Sequence, residues 1–333
     1  MFNYKSCQRR RDSNHDINFQ EVKLRSLQNK KALIISSSGG HLLEAKQLCA
    51  QLGLSFSSMY VTNKTSQSMS VLADKNHTFV KLIKSRDWLK TILVAPSIYR
   101  LCKGNNYEII ISTGAAIAIS ALPAHFLLRI PFYYFESLTR QVRPSFSGRI
   151  LQIFPTIQRY SESADKFSNK WKIAPSILKS YAVDNKEFDS SNLRILVTVG
   201  TIPNFRFDRL VENLLPALKP GDELYWQLGC TDRRSLPGIV YGDISNSQLI
   251  NIAKNCDVVI SHCGIGTIMD LLSIGVRPLV CPRRKSMNEH VDDHQLEAAA
   301  SFEKRDLVKV FNDKLTRADL ELAAKKQVIG LDI

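Results

Sequence analysis

Short runs of consecutive apolar residues alternate along this chain with stretches whose apolar residues recur every three or four positions. Residues 32–37 read as a continuous apolar strand, and 41–52 as an amphipathic helix. Segments 108–112 (EIIIS) and 131–135 (PFYYF) read as further buried strands, with a buried helix expected over 116–128. The composition turns polar around 160–192, then the pattern restarts. A strand is expected over 193–199, followed by helical spacing at Phe207, Leu210, Val211, Leu214 and Leu218. A strand at 257–261, a helix at 265–274 and a strand at 278–281 come next. Apolar strands alternating with amphipathic helices predict parallel sheets covered on both faces. The fold class is therefore α/β, with two Rossmann-like domains facing across a cleft. The expected boundaries are a polar basic tail (1–30), a first domain (31–175), a linker (176–192) and a second domain (193–333).

At 333 residues, 44% hydrophobic and 23% charged, the chain is long enough for about two domains and too apolar for disorder. Its seven cysteines are dispersed, without a CxxC pair, which excludes a disulfide framework and a cysteine zinc site. The net charge of +14 lies wholly in the first half: residues 1–190 hold 27 basic and 13 acidic residues, and the rest hold 18 of each. The first half is expected to meet an anion such as phospholipid, nucleic acid or a phosphorylated substrate. Arg9, Arg10 and Arg11 precede no apolar stretch, so neither a secretory nor a twin-arginine signal is expected. Segment 114–135 is apolar but carries Pro123, His125, Arg129 and Pro131, which argues against a membrane span. Segment 88–101 combines Leu89, Ile92, Leu93, Val94 and Ile98 with Lys90, Arg100 and Lys103 nearby. It suits a core helix or a helix lying on a bilayer surface.

Three glycine or polar clusters stand at strand ends, where open α/β sheets collect ligands. In VVISHCGIGTIMDLL, Gly264 and Gly266 precede a helix whose first amides suit a phosphate. Thr267 adds a hydroxyl, and Asp270, one turn on, suits ribose hydroxyls. In PRRKSMNEHVDDHQ, Arg283, Glu289, His290, Asp292, His294 and Gln295 crowd the end of a buried strand and suit a hydroxyl-rich ligand. Spacing i, i+2, i+4 at His290, Asp292 and His294 spreads them around a helix, so no metal site is expected. In SSSGGHLLE, Gly39 and Gly40 make a tight turn that sets His41 at a helix start, as a general base whose protonated form the helix terminus disfavours. Glu44 follows one turn later, to orient the imidazole or meet solvent. Thr113 and Gly114 end the EIIIS strand, and Glu136 ends PFYYF, as a base, a substrate acceptor or a partner for Arg140.

Taken together these motifs resemble a known group of enzymes. SSSGGHLLE, STGA and FESLTRQVRPSFSGRIL resemble the membrane-side subunit of the dolichol-pathway N-acetylglucosaminyltransferase pair. LVTVGTIPNFRFDRLVE, VVISHCGIGTIMDLL and PRRKSMNEHVDDHQLEAA resemble its catalytic partner and the C-terminal region of glycosyltransferase family 28. Two-subunit bacterial enzymes of exopolysaccharide and capsule assembly look similar, here as if fused, acceptor half first. The resemblance covers about residues 31–325. It implies a GT-B fold and inverting, metal-independent transfer from a UDP-sugar (glucuronate, galactose or N-acetylglucosamine) to a polyprenyl-diphosphate-linked saccharide. The UDP-sugar is a co-substrate and no cofactor is implied. The family's donor site maps onto Gly264, Gly266, Thr267, Asp270, His290, Asp292, His294 and Gln295, and its glycine loop onto Gly39, Gly40 and His41. The chain would be cytoplasmic, peripheral on an anionic membrane surface, with further copies of itself or polysaccharide-assembly proteins as partners. Two departures stand out: Asp270 replaces the family's usual Glu, and the dolichol-pathway subunit's N-terminal anchor has no counterpart. A UDP-sugar epimerase and a non-catalytic UDP-sugar-binding scaffold are the competing readings. A nucleic-acid binder is disfavoured, because no helix-turn-helix, RRM signature or aromatic-interleaved basic stripe is present.

Overall fold

Strands buried on both faces need mostly apolar residues, and Ala32–Ser36, four apolar residues and a serine that are all buried, forms the interior strand β1. The computed structural model describes residues 24–81, 88–189, 191–202, 204–233 and 235–331, and it divides between Ile177 and Leu178 into two units. The triple arginine at 9–11 lies outside the described residues.

In the first unit β1 leads into helix α1 (Gly40–Gln51), then β2 (Met59–Asn63), the short α2 (Ser66–Val71) and β3 (His77–Val80). Helix α3 (Trp88–Asn105) carries the chain back to β4 (Ile109–Gly114) on the other side of β1. Then follow α4 (Leu122–Leu127), β5 (Phe132–Phe135), α5 (Phe146–Leu151), β6 (Gln158–Ser161) and β7 (Lys172–Ile173). The sheet order is β3-β2-β1-β4-β5-β6-β7, and every pairing is parallel. Leu33, Ile35, Ile110, Phe132 and Tyr134 form its core with Val94, Ile98 and Cys102 of α3.

The second unit repeats the plan. Its strands are β8 (Tyr181–Asn185), β9 (Arg194–Thr198), β10 (Glu223–Gln227), β11 (Ile239–Tyr241), β12 (Val258–His262), β13 (Leu279–Cys281), β14 (Lys309–Val310) and β15 (Lys326–Gly330). Its helices are α6 (Asp208–Leu214), α7 (Asn246–Lys254), α8 (Ile265–Ser273), α9 (His294–Glu303) and α10 (Arg317–Ala324). The parallel sheet runs β11-β10-β9-β12-β13-β14, and β8 and β15 pair antiparallel as a separate ribbon. In both sheets the chain builds outward on one side of its first strand, then jumps back to the other side. That reversal, between β1 and β4 and between β9 and β12, is a topological switch point, where adjacent loops diverge and leave room for a ligand.

Three expectations change. The tail does not extend to residue 30, because Leu24 and Leu27 are buried and Asn29 N–H donates to the Gly53 carbonyl. Segment 176–192 is not wholly a linker: Tyr181–Asn185 is β8, held by β15, and ladder hydrogen bonds between backbones do not require apolar side chains. The helix over 116–128 is split into a 3₁₀ segment (Ala116–Ala121) and α4, because Pro123 lacks an N–H and favours the first turn of a new helix. Helix α3 is a core helix on one face only. Val94 and Ile98 enter the core, while Leu89, Ile92 and Leu93 are exposed. Among the described residues no helix is long and apolar enough to cross a membrane.

Leu27 is only 1% exposed, so Leu27→Ala should cost about 2–5 kcal/mol. A urea midpoint equal to that of the wild type would return this residue to a solvated tail.

Candidate functional site

Each switch point carries a cluster of polar groups, and each is described within its own unit. In the first unit, Gly39 precedes α1 with φ +88°, so the chain turns sharply into Gly40 and His41. His41 Nδ1 lies 2.9 Å from the Thr113 carbonyl at the end of β4. A carbonyl only accepts, so Nδ1 carries a proton, and in the neutral ring the lone pair is on Nε2. The Thr113 hydroxyl donates to the His41 carbonyl at 2.6 Å, so one residue grips the histidine at both backbone and ring. Gly114, with φ +123°, packs on the imidazole, and a Cβ there would come within 3.0 Å of Cε1. The structure thus brings together Gly39, Gly40, His41, Thr113 and Gly114.

Glu44 and Glu136 take other roles than expected. Glu44 neither orients His41 nor meets solvent. It is buried, and Ser137 Oγ donates to it at 2.8 Å. Burial, opposed by hydrogen bonds from Ser137 and the Leu138 backbone, pushes its carboxyl up to about 8. Glu136 is also buried, and its oxygens accept from Ser145 N–H (2.8 Å), Tyr134 Oη (3.2 Å) and Ser137 N–H (3.3 Å). Those bonds fasten the entry to α5 onto β5. In this arrangement β5 buries the Glu136 side chain among donors that reach both of its oxygens.

In the second unit, Gly264 caps α8 without a side-chain hydrogen bond. The amides of Ile265, Gly266 and Thr267 therefore have no intrahelical acceptor, and the helix dipole adds to their pull on an anion. Asp270 is buried one turn along. Beside this terminus stands His262, which reading of the sequence passed over. Its imidazole is wedged between Gly200, after β9, and Gly264, and a Cβ at Gly200 would lie 2.7 Å from Nε2. Burial, then the charge of Arg283, pulls His262 down to about 3, so it is neutral at pH 7. The signal was present in the sequence as a histidine flanked by two glycine loops at strand ends, but nothing in one chain shows that the loops meet.

Around this terminus a polar shell fixes the loops. Gln295 Oε1 accepts from Cys263 N–H (3.2 Å) and Arg283 N–H (3.1 Å), which joins α9 to the α8 loop and to the end of β13. The two oxygens of Asp292 reach His290 Nδ1 (3.0 Å) and His294 Nε2 (2.9 Å), so these three predicted residues form one group. Burial would raise the Asp292 carboxyl, but the hydrogen bonds from His290 and His294 outweigh it and hold the group well below the usual range.

Arg283 and Glu289, expected to contact the donor, are both buried and bonded within the protein. Arg283 is 1% exposed and donates to the carbonyls of Phe205 (2.9 Å), Glu289 (2.8 Å) and Val199 (2.6 Å), over the Phe207 ring. Glu289 is gripped by both Nε (2.8 Å) and Nη2 (2.7 Å) of Arg209 and also accepts from Arg284 N–H. A desolvated guanidinium needs acceptors, and loop carbonyls supply them to both Nη atoms, while the buried Nε has no partner among the described residues. Both residues hold the loops that surround the α8 terminus.

Two Rossmann-like units in tandem, with the likeness to solved glycosyltransferases, place the fold in the GT-B class. Residues 194–327 match the glycosyltransferase family 28 C-terminal domain, which makes the second unit family 28-like. A curated relative is the UDP-N-acetylglucosamine--N-acetylmuramyl-(pentapeptide) pyrophosphoryl-undecaprenol N-acetylglucosamine transferase of Pelagibacter ubique. It is 24% identical over 313 residues, covering 86% of this chain and 85% of the relative. Among solved structures, MurG of Acinetobacter baumannii is similar at a TM-score of 0.52 and 18% identity, covering 88% of this chain and 89% of that one. A UDP-GlcNAc 2-epimerase from Methanocaldococcus jannaschii is similar at 0.54 and 10%, covering 91% and 93%. The fold is thus common to transferases and an epimerase, and chemistry has to be argued from the sites.

Two outcomes follow. Arg283→Met keeps bulk but strands the buried acceptors at the Val199 and Glu289 carbonyls, and should cost about 3 kcal/mol in urea unfolding. Retained stability would mean that water serves those carbonyls. The folded chain keeps a proton on Glu44 that the unfolded chain releases. Wild-type stability relative to Glu44→Gln should therefore fall as pH rises from about 4.5 towards 8. A difference that does not vary with pH would sink this assignment.

Proposed function

We propose that this chain is an inverting, metal-independent glycosyltransferase. It moves a sugar from a UDP-sugar to a saccharide on a polyprenyl diphosphate, in bacterial exopolysaccharide or capsule assembly. The observation that carries this reading is the α8 terminus, whose first amides have no side-chain cap and beside which the neutral His262 ring packs against Gly200 and Gly264. Such a terminus suits the diphosphate of a nucleotide, both in binding and as charge develops on the leaving group. Asp270 is assigned to the ribose. The group formed by His290, Asp292 and His294 is assigned to the sugar hydroxyls. The division of labour, acceptor half then donor half, follows the order of the two-subunit resemblance.

In the first unit His41 is assigned as the base. An acceptor hydroxyl attacks the anomeric carbon, its proton passes to Nε2, and the bond to UDP breaks with the electron pair leaving on the diphosphate. Thr113 supports this by fixing which nitrogen holds the lone pair. The P. ubique relative's name states an N-acetylglucosamine donor and a pyrophosphoryl-undecaprenol acceptor, which puts N-acetylglucosamine first among the candidate sugars, ahead of glucuronate and galactose. The exposed Leu89, Ile92 and Leu93 of α3, with exposed Lys90, Arg100 and Lys103, suit peripheral attachment at the cytoplasmic face of an anionic membrane.

UDP release from a panel of UDP-sugars, with and without bacterial glycolipid extract and in EDTA, tests the reading. Release from one donor, only with lipid present, is expected. His41→Ala should lower kcat by about 10²-fold or more with the fold intact. Conversion of free UDP-GlcNAc without lipid would favour an epimerase, and UDP binding without turnover would favour a scaffold.

A further inference from the structure

Glu44 is a buried carboxyl that the proposed reaction does not use, and its surroundings suggest a purpose. It stands on α1 one turn after His41, so both side chains leave the same side of the helix. Its partners all come from the turn after β5. Ser137 Oγ donates to Glu44 Oε1 at 2.8 Å, and the Leu138 backbone donates as well. Ser137 Oγ also lies 3.1 Å from Thr139 Oγ1 and accepts from Thr139 N–H, while Arg140 N–H donates to the Ser137 carbonyl. Residues 137–140 therefore form a closed turn whose external fastening to α1 is the Glu44 carboxyl. The turn leads into Arg140, Gln141 and exposed Arg143, the cationic stretch at this end of the sheet. Among the described residues the charges acting on Glu44 are those of the Glu136 and Glu162 carboxyls, and its side-chain hydrogen-bond donor is the neutral Ser137 hydroxyl.

We propose that Glu44 is a positioning residue. It locks the Ser137–Arg140 turn to the helix that carries His41, so that the base and the arginine-bearing acceptor turn are held in one register. This rests on the reading of the first unit as the acceptor side. Losing the fastening should loosen the turn and weaken acceptor use while leaving donor use alone.

The test uses the full chain with Glu44→Ala, Glu44→Gln and Ser137→Ala. Glutamine keeps an oxygen that accepts from Ser137 and Leu138, alanine does not, and Ser137→Ala removes one bond should Glu44→Ala fail to fold. Amide hydrogen exchange comes first. Residues 137–143 should exchange about tenfold faster in Glu44→Ala, with β1 and β4 unchanged and Glu44→Gln like the wild type. In the transfer assay Glu44→Ala should raise the acceptor KM by about tenfold with an unaltered donor KM, and Glu44→Gln should restore it. Unchanged exchange in both Glu44→Ala and Ser137→Ala would overturn the fastening. A loosened turn with wild-type acceptor KM would overturn its role in acceptor use. If the wild type transfers no sugar, the proposed function fails, and the exchange data still decide whether Glu44 holds the turn.

Discussion

Both polar clusters of this protein hang on one constraint of parallel sheets, the reversal of strand order beside the first strand. A parallel strand is reached only by a crossover, so successive strands stack to one side until the chain jumps back. On either side of that jump the loops leave in opposite directions, and backbone groups at the strand ends lose their neighbours. The GGH turn and the Thr113–Gly114 end of β4 flank the reversal in the first unit. The Gly200 loop and the His262–Gly266 loop flank it in the second. Four segments far apart in the chain thus become two sites because of strand order.

Opening a sheet at this point exposes polar backbone, and the protein answers with side chains that bind backbone more than each other. Thr113 takes the His41 carbonyl and ring. Gln295 takes two amides, and Arg283 takes three carbonyls. Such groups are expensive to bury unless each is satisfied, so the loops have little freedom to rearrange. At the start of α8 the cap residue is Gly264, which has no side chain to occupy the first amides. The need to satisfy buried groups also divides labour among residues that look alike in sequence. Within a few positions Arg283 and Glu289 support the loops, while His290 and His294 share the Asp292 carboxylate.

The apolar periodicity determined the alternation of strand and helix, the doubling of the α/β plan and the placing of glycine and histidine clusters at strand ends. These are local consequences of which residues must be buried, so one chain suffices to read them. Sequence also marked His41, Gly264, Thr267 and Asp270, because a helix start after a strand is a local motif. It did not distinguish a buried carboxylate that contacts ligand from one that staples a turn. Glu44 and Glu136 differ only in what packs against them, and Ser137, Tyr134 and Ser145 reach them through the tertiary fold. His262 stayed hidden because its wedge between Gly200 and Gly264 joins loops more than 60 residues apart. The ribbon of β8 and β15 was illegible for the same reason, since backbone ladders between distant segments leave little trace in side-chain pattern. Local burial is written in the sequence; which polar groups meet was decided by strand order.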